Sequence, residues 1–273
     1  MESLWAVYSF VIGACFGSFL NVCISRWPEG LSVIRPRSRC PNCERPITAL
    51  ENIPLLSWVV LRGKCRGCGN RISIQYPIVE LVVGCIWLAT YLHYGLSFTA
   101  VRVAVFATVL LGIAVTDAKH YLIPDGFTAF GLVWVVLTAL ISLFSPAESP
   151  FAGAYGALIG ACAGAGAIAI SGWLGELVLR KEAMGFGDVT LMAVIGAAVG
   201  PARAILTIFI GAFIATVVFL GVVYPVAWLR ARRSGVAFEP PHVPFGVFLA
   251  PAAIIALLWG HSMVSLYTNS MGL

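Results

Sequence analysis

Long apolar segments separated by short polar ones make up most of this chain of 273 residues. Only 11% of its residues are charged, whereas soluble proteins carry about 25%, and its mean hydropathy is +0.94. A helix needs roughly 20 apolar residues to cross a bilayer, and about eight segments come near that length. They lie near residues 4–25, 77–95, 99–116, 126–144, 153–178, 188–200, 203–229 and 244–268. The sequence therefore predicts an all-α integral membrane protein with about eight transmembrane helices.

The basic residues predict the orientation of these helices. All but two of the 17 Lys and Arg residues would lie on one side of the membrane, with only Arg102 and Arg203 on the other. By the positive-inside rule the basic side is cytoplasmic, so eight spans place both termini outside. The sixth segment is short, since only about a dozen residues separate Asp188 from Pro201, and it would tilt, begin within the bilayer or merge with its neighbour. The net charge of +5 thus reflects membrane topology, and we expect no nucleic-acid partner.

Two Cys-x-x-Cys pairs, Cys40/Cys43 and Cys65/Cys68, lie in the long polar stretch, with 21 residues between them. Each pair is expected to form a knuckle that aims two thiolates at one point, and two knuckles complete a tetrahedral zinc site. A closed four-cysteine site is structural rather than catalytic. The alternative is a pair of disulfides, which a reducing cytoplasm disfavours. Because so small a head has little core of its own, bound zinc would hold it together.

The polar stretch divides the chain into three predicted parts. Residues 1–25 form the first transmembrane helix, residues 26–75 form a cytoplasmic zinc-binding head, and residues 76–273 form a transmembrane helical bundle. Small residues four positions apart favour close helix packing in this bundle, at Gly156, Gly160 and Gly164. The cysteines outside the head are predicted to be small core residues, and they are Cys15, Cys23, Cys85 and Cys162.

Two aspartates stand where apolar segments meet polar loops. Asp117 ends the third segment, and Asp188 follows Gly185 and Gly187 at the start of the sixth. Ionisable groups at membrane depth are costly, so each is a candidate functional group, and each is the natural partner of the other. Two carboxylates about 3 Å apart share one proton, so one can act as a base on water while the other polarises a peptide carbonyl. The two glycines would support the turn or let an extended substrate approach closely.

Other acidic residues have structural explanations, and some of these apply to the aspartate pair too. Asp125 follows Pro124 and precedes an apolar run, so we predict that it is a helix N-cap. Asp188 could likewise cap the sixth helix, and Asp117 could merely end the third. Glu80, just inside the second segment and close to the head, is either a satisfied buried group or a candidate methyl-transfer or substrate residue. The sequence has no His-Glu-x-x-His, Gly-x-Ser-x-Gly or P-loop motif.

Together these features resemble the type IV prepilin peptidases, membrane aspartic proteases with a Gly-x-Gly-Asp motif, over nearly the whole chain. The similar motifs are GSFLNV at 17–22, SRCPNC at 38–43, NIPLLSW at 52–58, RGKCRGC at 62–68, YPIVE at 76–80 and PFGVFL at 244–249. The catalytic pair of the family falls on Asp117 and Asp188. Two positions depart from the family pattern, Thr190 where Lys is common and Val247 where Pro is frequent. We expect neither of them to touch the aspartates.

The resemblance implies an aspartic endopeptidase of the bacterial inner membrane that cleaves the leader of type IV prepilins or type II secretion pseudopilins. Cleavage would follow a Gly on the cytoplasmic side. Members with the four-cysteine head are typically bifunctional and also N-methylate the new N-terminal residue, usually Phe, with S-adenosylmethionine. No glycine-rich nucleotide fingerprint marks a donor site, so Glu80 and the head are its candidates. The oligomeric state is not indicated.

Two other classes of function stay open from the residues alone. In a cation-coupled membrane transporter, Asp117 and Asp188 would bind or relay cations, and polar residues would be spread through several spans. Here they cluster at one membrane face. In a non-enzymatic scaffold, the zinc head would dock a partner and the aspartates would tolerate replacement by Asn.

Overall fold

The computed structural model describes residues 2–144, 149–180, 184–234 and 243–271, and the elements of regular structure in these ranges are helical. Two isolated β-bridges occur in the head. The α-helices are α1 (Glu2–Arg26), α2 (Leu56–Val60), α3 (Gln75–Tyr94), α4 (Phe98–His120), α5 (Asp125–Ile141), α6 (Ala154–Leu179), α7 (Phe186–Val199), α8 (Pro201–Val218), α9 (Tyr224–Ser234) and α10 (Gly246–Met271). A π-helical turn, Phe219–Val223, joins α8 to α9. The predicted all-α membrane fold is confirmed.

Six helical segments of the described ranges are long and apolar enough to cross a membrane. They are Glu2–Glu29, Gln75–Tyr94, Phe98–His120, Ala154–Val178, Pro201–Ser234 and Gly246–Met271. The remaining two predicted spans correspond to α5 and α7, which are apolar but only 17 and 14 residues long. At 1.5 Å per residue α7 measures about 21 Å, less than the roughly 30 Å of a bilayer core. The sequence anticipated a short sixth segment but not a short fourth one.

The chain divides into two compact units, Met1–Gly112 and Ile113–Leu273. In the first unit α1 and α3 pack antiparallel. The Tyr91 hydroxyl donates to the carbonyl oxygen of Glu2 at one end of the pair, and Asn21 contacts Tyr76 at the other. The Asn21 amide donates to the carbonyl oxygen of Tyr76 at 3.1 Å. Gly17 has no room for a side chain, since a Cβ would lie 2.7 Å from Glu80 Cα. Two residues of the GSFLNV motif therefore hold these helices together.

In the second unit α6 and α7 cross at backbone contact. A Cβ on Gly160 would overlap the carbonyl oxygen of Gly196, and one on Gly196 would overlap that of Gly160. Gly164 stands in the same way against the carbonyl oxygen of Met192. Close packing at the predicted glycines is thus confirmed for Gly160 and Gly164, whereas a Cβ on Gly156 would make only ordinary contact, 3.4 Å from Ala152 Cβ.

The cysteines outside the head differ from the prediction. Cys23 is buried, but Cys15, Cys85 and Cys162 are exposed on the faces of their helices. A thiol is apolar enough to face lipid, so an apolar sequence context does not reveal which side of a spanning helix turns inward. The core assignment was right for Cys23 alone.

The crossing of α6 and α7 predicts opposite effects for two Gly→Ala substitutions in α6. Gly160→Ala should destabilise the protein by about 1–3 kcal/mol, because the added methyl forces two backbones apart. Gly166→Ala should be neutral or stabilise by up to about 1 kcal/mol, because alanine favours the helix and its Cβ meets nothing within 4 Å. Thermal unfolding in detergent measures both, and equal midpoints would contradict the tight crossing.

Candidate active site and metal centre

The four head cysteines meet at one point. Their sulfur atoms all lie within 4.8 Å of one another, with Cys40 Sγ 3.8 Å from Cys68 Sγ and Cys43 Sγ 4.0 Å from Cys65 Sγ. All four are free thiols, so the disulfide alternative is not what the structure contains. A tetrahedral site with Zn–S bonds of about 2.3 Å has sulfur atoms roughly 3.8 Å apart. The donor set therefore fits a zinc ion.

Both knuckles are built by the same backbone pattern. In the first, the N–H of Cys40 donates to the carbonyl oxygen of Arg45 at 3.0 Å, and the N–H of Glu44 donates to the carbonyl oxygen of Cys40 at 2.9 Å. In the second, the N–H of Cys65 donates to the carbonyl oxygen of Asn70 at 2.8 Å, and the N–H of Gly69 donates to the carbonyl oxygen of Cys65 at 2.9 Å. The residue that donates to the first cysteine has a left-handed backbone in each knuckle, with φ of 55° at Glu44 and 70° at Gly69. This repeated turn aims each thiol pair at the shared point.

Backbone amides prepare two of the thiols to bind metal. The N–H of Asn70 is the main cause that lowers the pKa of Cys68 to about 6, with help from the side chain of Asn42. The N–H groups of Cys68 and Gly67 lower the pKa of Cys65 as well. Because the thiolate is the form that ligates metal, these donors reduce the cost of deprotonation at the site.

The thiol geometry predicts that the purified protein contains zinc. We expect about one zinc ion per chain, lost in Cys40→Ser because an open three-thiolate site binds structural zinc weakly. Cys85→Ser is the matched control, because it removes an exposed thiol outside the cluster. Elemental analysis by mass spectrometry measures the ratio, and equal zinc in both variants would exclude the four-cysteine site.

Asp117, near the end of α4, is 5% exposed and is held by the start of α10. Its Oδ2 accepts the backbone N–H of Val247 at 3.2 Å. A Cβ on Gly246 would lie 2.8 Å from the same oxygen, so the approach requires glycine at that position. This contact explains the glycine of the PFGVFL motif. The expectation that Val247 does not touch the aspartates was wrong, because the Val247 backbone N–H contacts Asp117. A contact made by a backbone donor cannot be predicted from side-chain identity.

Asp188 is the third residue of α7, and its N–H donates to the carbonyl oxygen of Gly185 at 3.1 Å. A Cβ on Gly187 would lie 2.9 Å from Ile123 Cβ. Gly187 therefore lets the first turn of α7 pack against the loop that follows α4. Gly185 has an ordinary φ of −77°, so its turn does not require glycine. Thr190 donates within its own helix to the carbonyl oxygen of Gly187 at 3.0 Å.

Neither aspartate of the pair acts as a helix cap. Gly185 is the N-cap of α7, which places Asp188 inside the helix. The predicted N-cap role of Asp125 is wrong by one residue, because Pro124 is the N-cap of α5 and Asp125 is its first helical residue. Pro124 is extended, with φ −67° and ψ 137°, and it supplies no side-chain hydrogen bond. The Asp125 carboxylate favours the helix through its dipole instead.

The carboxyl groups of Asp117 and Asp188 line one cavity of about 940 Å³. Much of the remaining wall is apolar and includes Met184, Phe219, Leu220 and Phe245. Phe219 and Leu220 belong to the π-helical turn, and such turns are frequent at functional sites. No motif in the sequence indicated this turn. Two carboxylates facing a shared apolar space are the arrangement in which one proton is shared between acid and base.

Glu80 is a buried carboxylate that binds the backbone of the head. It is 8% exposed, and its Oε2 accepts the N–H of Leu55 at 2.8 Å. Leu55 has a left-handed backbone, with φ of 62°, so the buried carboxylate fixes a strained turn of the head to α3. Glu80 lines neither of the cavities found around the aspartates and beneath the head. These contacts favour the satisfied buried group over a reacting one.

Comparison with known proteins places two family models on the chain. Residues 11–94 match the "Bacterial Peptidase A24 N-terminal domain" and residues 104–220 match the "Type IV leader peptidase family". Among curated relatives, the Bacillus subtilis "Prepilin leader peptidase/N-methyltransferase" is 36% identical over 94% of this chain and 96% of its own length. The enzyme of that name from Stutzerimonas stutzeri is 35% identical over 95% and 92%. The one from Myxococcus xanthus is 40% identical over 71% of this chain, which spans 56% of that relative. No solved structure matches the chain.

Proposed function

Because the chain belongs to the type IV leader peptidase family, we propose that it is a membrane aspartic endopeptidase for prepilins or pseudopilins. It would cleave the leader after Gly and then N-methylate the new N-terminal residue with S-adenosylmethionine. The observation that carries the peptidase proposal is the pair of carboxylates, Asp117 and Asp188, on one largely apolar cavity. Lipid and the prepilin are its partners.

The two aspartates would divide the acid and base roles. Asp117 accepts the Val247 N–H through Oδ2, and such a donor favours the ionised form of the carboxyl group. We assign Asp117 as the base that takes a proton from water, while the water oxygen bonds to the scissile carbonyl carbon. Asp188 would give its proton to the carbonyl oxygen, which forms a neutral diol. When the carbon–nitrogen bond breaks, the leaving amine takes the proton from Asp117, and a diol hydroxyl returns one to Asp188.

The apolar cavity wall suits a substrate whose cleavage site adjoins an apolar segment. Phe219 and Leu220 offer apolar surface beside the carboxylates, and Leu220 is 61% exposed. An apolar wall also keeps bulk water away from the acid and base, which strengthens their interactions with the reacting bond.

The cytoplasmic side is proposed for both the head and the aspartates. The support is the distribution of Lys and Arg, with nine of the 17 between Arg26 and Arg71. Both termini then lie outside, in the bacterial inner membrane. On that side thiols stay reduced, as a structural zinc site in the head requires. The transporter alternative gains no support from the family match, which is to leader peptidases.

Replacing either aspartate by Asn should abolish cleavage. Asp117→Asn and Asp188→Asn each remove a proton-transfer group, and we expect losses of roughly a thousandfold or more. Asp125→Asn is the matched control, because that carboxylate is exposed and lines neither cavity. Mass spectrometry of a prepilin after incubation reads the product. Normal cleavage by either active-site variant would refute the proposed mechanism.

A further inference from the structure

Tyr121 is the first residue after α4, and it has a left-handed backbone with φ of 52°. Five of the described residues other than glycine have a positive φ, and Tyr121 is the one among them that lines the aspartate cavity. A left-handed backbone is costly for a residue with a side chain, so helices that end in this way usually place glycine or asparagine there. Residues held in such conformations cluster at functional sites. Because glycine would serve the turn better, the tyrosine side chain is a candidate for a role in the cavity.

The backbone on both sides of Tyr121 is anchored. The N–H of Tyr121 donates to the carbonyl oxygen of Asp117 at 2.9 Å, which ties the residue to the end of α4 that carries this aspartate. Two residues further on, Ile123 is 6% exposed and packs closely against Gly187 of α7 and Gly246 of α10. Tyr121 lies between these anchors and is itself 61% exposed. Its ring is therefore accessible to a ligand, and an aromatic side chain loses little conformational freedom when a ligand binds.

The aspartate cavity has few side chains that can donate hydrogen bonds. No Lys or Arg lines it among the described residues, and an ionised carboxylate only accepts. Thr216 lines the cavity, but its hydroxyl donates within α8 to the carbonyl oxygen of Ala212 at 2.7 Å. Among the described residues of the wall, the Tyr121 hydroxyl is therefore the neutral side-chain donor that stays available to a ligand.

A peptide substrate brings main-chain carbonyl groups that lose water when they enter this cavity. Much of the wall is apolar and includes Phe219, Leu220 and Phe245, and a buried carbonyl oxygen without a donor costs free energy. In the proposed mechanism the scissile carbonyl receives the proton of Asp188, so the neighbouring carbonyl groups need other donors. A phenol suits this place, because its ring packs against apolar groups while its hydroxyl donates.

We propose that Tyr121 is a substrate-binding residue whose hydroxyl donates a hydrogen bond to a main-chain carbonyl oxygen of the prepilin beside the cleaved bond, an inference that rests on the proposed peptidase function. Tyr121 transfers no proton in the reaction. Because the acceptor is a main-chain atom, the contact recognises an extended peptide whatever its side chains are. It holds the peptide beside the aspartates, which themselves act on the scissile group.

Steady-state cleavage of a prepilin by the detergent-purified full chain tests this hydrogen bond. Tyr121→Phe keeps the ring and removes the hydroxyl, so we expect kcat/KM to fall by about three- to tenfold, mainly through a higher KM. Tyr155→Phe is the matched control and should cleave like the wild type, because Tyr155 is exposed and lines neither cavity. Tyr121→Gly should lower kcat/KM further, yet unfold at the wild-type temperature or above it, because glycine accepts the left-handed backbone.

Binding of uncleaved prepilin separates the substrate contact from the proposed function. In an Asp188→Asn background, Tyr121→Phe should raise the Kd of a fluorescently labelled prepilin peptide, measured by anisotropy, by about three- to tenfold. An unchanged Kd, or wild-type kcat/KM in Tyr121→Phe, would overturn the contact and leave the peptidase proposal standing. A loss of activity that follows a loss of folded protein, with KM unchanged, would overturn it in favour of a structural role. Binding that depends on the Tyr121 hydroxyl in a protein that does not cleave prepilin would count against the peptidase proposal alone.

Discussion

The hydrogen bond between the Val247 N–H and the Asp117 carboxylate joins residues 130 positions apart in the chain. A carboxylate at membrane depth is costly unless donors surround it, and here the donor comes from the open first turn of α10. The first N–H groups of a helix have no partner within it. The N–H of Val247 at the start of α10 can therefore donate to the buried carboxylate of Asp117. Because this bond ties the end of α4 to the start of α10, it orients Asp117 and forms one side of the aspartate cavity.

Glycines make the contacts around that bond sterically feasible. Gly246 lets the backbone of α10 approach Asp117 Oδ2, and Gly187 lets the first turn of α7 approach Ile123. Gly160 and Gly196 bring α6 against α7 at backbone distance. In lipid there is no hydrophobic force between helices, so such close packing has to supply the association energy. The short α7, which carries Asp188, is therefore held by backbone contact with its neighbour in addition to its fully buried side chains, which include Leu191, Met192 and Ile195.

The sequence predicts those features that side-chain identity controls. The Cys-x-x-Cys pairs indicated four thiols at one point, and apolar segment lengths indicated the order of the helices. Features that depend on the backbone escaped prediction. The donor to Asp117 is an N–H that any residue except proline supplies, and the π-helical turn has no motif. The N-cap of α5 is Pro124 instead of Asp125, because the extended backbone that precedes the helix is that of Pro124. The sequence did not predict that Cys15, Cys85 and Cys162 are exposed, because thiols are compatible with both lipid and core.

The two cavities differ in the charged groups that line them, and the aspartate cavity has the charge that its proposed reaction requires. Peptide hydrolysis by an aspartate pair requires that a proton stay shared between carboxylates, and a neighbouring guanidinium would favour ionisation of both. No Lys or Arg lines that cavity among the described residues. The cavity beneath the head has the opposite lining, with Arg26 and Arg37 and no carboxylate among the described residues that line it. The two cavities are therefore electrostatically distinct and favour ligands of opposite charge, and each is built within its own compact unit.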